Sequence, residues 1–178
     1  PTTEILLVQF DLLRVELPSA PLRHSLNLWN HVDEMRVDPA VAPVLAQNGV
    51  RMGVASADAW EAMQAILKSS QATTAIATQT LQAGLPLLLQ VGEFAEPAPV
   101  FVYGPSGELV GETLQPGRMM IRLDYEVPPP KRDRVRLLVE LDVFPPESTS
   151  AWVLSPSQAG GLTPSHQFRE LVASLVLV

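Results

Sequence analysis

One stretch constrains this chain more than any other. From Val135 to Val143, the residues Val135, Leu137, Val139, Leu141 and Val143 take every second position, and Arg136, Leu138, Glu140 and Asp142 fill the gaps. Side chains of a strand point alternately to its two faces, so this order commits one face to a core and the other to water. The natural partner is Met119–Val127, across the loop opened by Pro128-Pro129-Pro130. A strand with one apolar face needs both a neighbour and a cover, so a layered, antiparallel β-structure follows.

The same pattern runs through the chain after Ser69-Ser70. Thr73–Leu81 is rich in threonine and β-branched residues, and Gln82-Ala83-Gly84 turns the chain before Leu85–Phe94. Val100–Tyr103 and Glu108–Leu114 flank Gly104-Pro105-Ser106-Gly107 as a hairpin. Ala151–Leu154 is a short strand between linker-like Pro145–Ser150 and the Gly/Pro/Ser loop Ser155–Pro164. Phe168–Val178 fits either a strand or a helix, and its β-branched finish favours the strand.

The first 70 residues read differently. Glu4–Leu17 is a strand of near-continuous hydrophobicity, ended by Pro18 and Pro21. Leu22, Leu26, Trp29 and Val32 recur at helical spacing, which predicts an amphipathic helix over Leu22–Met35. Asp38-Pro39 opens a short helix that Asn48-Gly49 closes. Val50–Val54 is a short strand, and Ser56 or Asp58 caps a helix over Ala59–Lys68, whose inner face carries Trp60, Met63 and Leu67. The fold class expected is α+β: a small N-terminal β-α-β-α module at 1–70, then an antiparallel β-rich domain, sandwich or barrel-forming, at 71–178.

Composition narrows the function. A net charge of −7 argues against a nucleic-acid partner, and the basic cluster Lys131-Arg132-Asp133-Arg134 is interrupted by an acid and reads as a hairpin tip. Cysteine is absent, which removes disulfides, thiol nucleophiles and Cys-based zinc sites. Only 17% of residues are charged and 47% are hydrophobic, as a surface shared with a partner or a large monomeric core would require. The longest apolar run, Leu85–Val91, is strand-length and contains Pro86, too short for a membrane-spanning helix. A chain that starts at Pro1 and stops at Val178 reads as a processed or partial segment of a longer polypeptide.

No residue set makes a catalytic, cofactor-binding or metal site. His24 and His31 share a side of the first expected helix with Asp33 and Glu34 nearby, but a further ligand is not supplied. His166 sits beside Ser165 without a nucleophile elbow. The two glycines of Asn48–Gly53 lack the spacing of a phosphate-binding loop. Asp124, Glu126, Glu140 and Asp142 lie on paired strands, where carboxylates ordinarily serve solubility and Arg122, Arg134 and Arg136 can neutralise them. Trp29 and Trp60 face the core by default, and Trp152 is the aromatic placed to touch a partner.

Several segments together carry a family likeness. Thr78–Gly84 leads into the apolar Leu87–Gln90 ending in Val91-Gly92-Glu93, Met120–Val127 pairs with Val135–Val143, and Arg169–Val178 closes the chain. In order and spacing, from about Ala72 to Val178, they resemble the core domain of secretins, the ring-forming outer-membrane channels of bacterial secretion and type IV pilus machines. The first 70 residues are similar in kind to the ring-building modules that precede a secretin core. The family's closing glycine segment and membrane-embedding tail have no counterpart in this sequence. The resemblance implies a non-enzymatic structural protein of a bacterial envelope, exported to periplasm or outer membrane. It would lack a cofactor, join a ring-like homo-oligomer through strand edges, and meet other envelope proteins. The alternative expectation is a monomeric exported β-sandwich module that binds a carbohydrate or protein partner through Trp152 and the 145–165 loop.

Overall fold

A computed structural model describes residues 6–17, 27–82, 84–128, 134–146, 152–154 and 162–177. Its centre is an antiparallel sheet in the order β10-β7-β6-β3-β8, formed by β3 (Leu87–Phe94), β6 (Gly117–Glu126), β7 (Val135–Phe144), β8 (Val153–Leu154) and β10 (Ala173–Leu177). The short β9 (His166–Gln167) also pairs with β7, opposite Val143 and Asp142. β9 and β10 share one edge of β7 in succession, separated by a 3-10 turn at Arg169–Leu171 that buries Leu171.

The register explains the faces. Ile121 faces Leu141 and Leu123 faces Val139, so the alternation in β7 is matched in β6 and the apolar rows coincide. β3 begins at Leu87 rather than Leu85, since Pro86 has no N–H for a ladder. The register of β3 against β6 shifts between Gln90 and Gly92, which leaves Val91 outside the pairing as a bulge.

Two ribbons cover this sheet. β1 (Leu7–Glu16) and β2 (Thr73–Gln82) pair along their whole length, from Leu7 opposite Gln82 to Glu16 opposite Thr73. Val8, Phe10, Leu12, Ala77 and Leu81 on the ribbon's inner face pack with Leu87, Tyr125 and Val153 of the sheet. The Tyr125 hydroxyl donates to the Gln82 carbonyl at 2.7 Å, and its ring meets Phe10 edge-on at 4.8 Å. The second ribbon, β4 (Ala98–Tyr103) with β5 (Leu109–Leu114), turns through Gly104–Gly107, where Gly107 takes a φ of 79°. Val100, Val102 and Leu114 join a second cluster with Val143, Phe168, Leu171, Ala173 and Leu175.

The helical part is small. Residues 27–29 are helical, and the helix expected over Leu22–Met35 stops there; its first part, residues 22–26, lies outside the described residues. Asp33 ends it. Its carboxylate accepts from the Met35 N–H at 3.0 Å and caps a 3-10 turn at Glu34–Arg36, while its backbone bridges Val54 in both directions. That bridge is all that forms of the strand expected at Val50–Val54. Asp38 holds a turn rather than a helix cap, accepting from the Ala40 N–H at 2.8 Å, and α1 (Ala42–Gln47) starts later with Pro43 in its first turn. Gly49 has a φ of 75° and stops it as expected. α2 (Ala59–Ser69) matches its expected span; Ser56 Oγ accepts from the Ala59 N–H, whereas Asp58 makes no side-chain cap bond.

The chain is therefore α+β and mainly antiparallel β-sheet, and the described part of residues 1–70 holds β1, α1 and α2. Their first strand finds its partner at Thr73–Gln82, beyond the boundary expected at 70, and the strand after α1 is reduced to one bridge. Pairing with a distant, fully matched strand of ten residues outweighs local neighbours in sequence. Among the described residues, no helix is long and apolar enough to cross a membrane.

Candidate functional site

The expected carboxylates of β6 and β7 lie on the sheet face opposite the ribbons. Register separates them into cross-strand charge pairs: Arg122 opposes Glu140, and Glu126 opposes Arg136. Arg122 Nε lies 2.7 Å from Asp124 Oδ2 and 3.9 Å from Glu140 Oε2, and Arg136 Nη1 donates to Glu126 Oε1 at 2.6 Å. Burial works against the charge on Arg122, yet Asp124, Glu140 and Asp142 together raise its pKa. Arg122 and Arg136 thus neutralise their neighbours as the sequence indicates.

Asp142 departs from the solvated face expected for it. It is only 1% exposed, its Oδ2 has no hydrogen-bond partner, and it shares that end of the face with buried Arg118 and with Leu88, Met120, Phe144 and Leu154. Burial, then the charges of Glu140 and Asp124, push its carboxyl above the ordinary aspartate range against the opposing pull of Arg122 and His166. The folded chain therefore holds a proton at pH values where the unfolded chain has lost it. That contribution to stability is complete below the unfolded pKa and is lost as pH rises through the folded one. Asp142→Asn should accordingly gain on the wild type as pH rises from the acidic range to neutrality. Denaturant midpoints measured across pH test this; a gap that does not change with pH contradicts it.

The remaining sequence candidates do not converge. Among the described residues no group of His, Cys, Asp and Glu is arranged to hold a metal. His24 lies outside the described residues. Asp33 caps its own turn, while Glu34 binds Arg51 through two hydrogen bonds, of 3.0 and 2.5 Å. Hydrogen bonding from Arg51 lowers the Glu34 pKa. Arg51 in turn stacks over Trp29, 4.5 Å from the ring centroid. His166 pairs with Glu112 of β5 at 2.9 Å, which ties the second ribbon to β9, and meets Phe168 edge-on at 4.5 Å. Trp152 is half-buried against the cluster of Leu81, Leu87, Tyr125 and Val153, which occupies it as core. Most of the 145–165 loop and residues 131–133 of the basic cluster lie outside the described residues.

What the sequence missed is apolar surface. Ile76 on the outer face of β2 is 77% exposed and Phe101 on β4 is 65% exposed, and Leu7, Leu109 and Val110 are also exposed. Trp60, expected in the core, is 41% exposed. Among the described residues neither β1 nor β2 pairs with any third strand, and the same holds for β4 and β5. One edge has its own guard. Asn48, just after α1, donates to the Tyr103 carbonyl at 2.9 Å and accepts from the Tyr103 N–H at 2.8 Å, so it occupies the outward edge of β4 at that point. Among the described residues β5 has no such cover, and its residues Leu109–Thr113 are all exposed.

Among the described residues, the two ribbons thus leave strand edges and apolar side chains unused internally. The chain matches no protein-family model, no curated protein and no solved structure.

Proposed function

We propose that this chain is a structural, assembly-forming protein whose strand edges pair with those of identical neighbours. The observation that carries the reading is the pair of two-stranded ribbons β1–β2 and β4–β5, which among the described residues pair with no third strand and carry exposed apolar side chains. Such edges invite pairing with another chain unless they are short, charged or covered. The β1–β2 ribbon is ten residues long, and the outer face of β2 carries uncharged Thr74, Ile76, Thr78, Thr80 and Gln82. The resemblance to secretins supports a ring as the form of assembly and a bacterial envelope as its place, with no enzymatic step.

Mass in solution tests it. Light scattering across the micromolar range should give a discrete multiple of the chain mass. Thr80→Lys with Gln82→Lys should shift the species toward a monomer with unchanged far-ultraviolet dichroism, since lysine on an edge strand opposes pairing. A wild-type monomer throughout that range, or a double variant of unchanged mass, contradicts the proposal.

A further inference from the structure

The assembly reading leaves open which surfaces meet, and the two ribbons differ in a way that answers this. The outer face of β1–β2 and the adjoining face of α2 enclose a groove of about 310 Å³, lined by Leu13, Trp60, Leu67, Lys68, Thr74 and Ile76 among others. Trp60, Gln64, Leu67 and Lys68 fall at helical spacing along one face of α2, yet of the apolar pair only Leu67 is buried. An amphipathic helix normally seats its apolar stripe, and this one leaves half of its own open. The charged side chain that lines the groove is basic, Lys68.

The β4–β5 ribbon has the opposite character. Its exposed side chains include Phe101, Tyr103, Leu109 and Val110, and the charged residues from Ala98 to Leu114 are both acidic, Glu108 and Glu112. Glu112 is engaged by His166, whereas Glu108 stands at the turn with its carboxylate beside Gly104. Phe101 lies across Gly111, the residue opposite it on β5: a Cβ added there would fall 2.7 Å from its ring. The aromatic therefore forms a flat apolar surface rather than a buried anchor. Asn48 closes the β4 edge at Tyr103, so among the described residues β5 is the edge left for a neighbour.

Resting on the assembly reading, we infer that the acidic β4–β5 ribbon of one copy docks on the Lys68-bordered groove of α2 and β1–β2 in a second copy. The two surfaces are different patches of one chain, so the contact is heterologous and repeats head to tail, closing into a ring where the rotation allows. Apolar residues supply the area; Lys68 facing Glu108 fixes orientation and register.

The experiment uses the full chain and sedimentation velocity. Lys68→Glu and Glu108→Lys should each weaken association roughly tenfold by placing like charges together, and the Lys68→Glu/Glu108→Lys double variant should recover most of it. Ile76→Asp, at an exposed position, should dissociate the assembly while dichroism stays unchanged. A double variant no better than the sum of its singles overturns the inference, since it excludes direct facing of the two charges. A wild-type assembly indifferent to Ile76→Asp and to both charge reversals also overturns it, while leaving assembly through other edges standing. A monomeric wild type removes the assembly reading itself.

Discussion

Leu87→Ala is expected to lower stability by about 2–5 kcal/mol, the range for a leucine truncated where its surroundings cannot collapse. Leu87 is 0% exposed and sits where the first ribbon meets the sheet, in one cluster with Leu81, Tyr125 and Val153. Val8, Phe10 and Leu12 press on that cluster from β1. The loss therefore falls on the seam between ribbon and sheet as well as on β3. Equilibrium denaturation measures it, and hydrogen exchange locates it: amides of β1 and β2 should lose protection along with those of β3. A cost below about 1 kcal/mol, typical of volume-conserving swaps, means that the seam repacks and the ribbon is held elsewhere.

Asn48→Ala should cost about 2–3 kcal/mol, at about 1 kcal/mol for each hydrogen bond lost. Its amide donates to the carbonyls of Val44 and Tyr103, and its side-chain oxygen accepts from the Tyr103 N–H. The side chain thereby ends α1 and fastens it to β4, residues 55 apart in sequence. Asn48→Asp separates the two roles, since it keeps the acceptor for the Tyr103 N–H and loses both amide donors. It should be no more stable than alanine, because its second carboxylate oxygen meets the Val44 and Tyr103 carbonyls. Alanine also bares the outward edge of β4, so that variant should associate more strongly than wild type at equal concentration, and light scattering reads the difference. An Asn48→Ala chain of wild-type stability contradicts the role given to this residue.

The strands were legible because their cause is local. Alternation in Val135–Val143, the hairpin around Gly104–Gly107 and the stop at Asn48-Gly49 each depend on residues close in sequence, and each is present. The neutralisation of the β6 and β7 carboxylates was legible for the same reason, since register follows from the hairpin. Less was legible of any site. Trp60 has the spacing of a core residue, and periodicity says which face it occupies without saying whether anything covers that face. Asp142 has the spacing of a solvent residue and is buried among Leu88, Met120, Phe144 and Leu154.

The sequence by itself determined that this is an antiparallel β-protein with a few short helices, acidic and free of cysteine. Alternation, turn residues and caps act over a few positions, and their energies do not wait on the rest of the fold. The tertiary structure alone decided that β1 crosses the expected boundary to pair with Thr73–Gln82, and that Asn48 guards β4 while Leu109–Thr113 of β5 stay exposed. Those outcomes depend on which distant surfaces compete for the same partner, and a strand pattern is equally compatible with any edge that matches it.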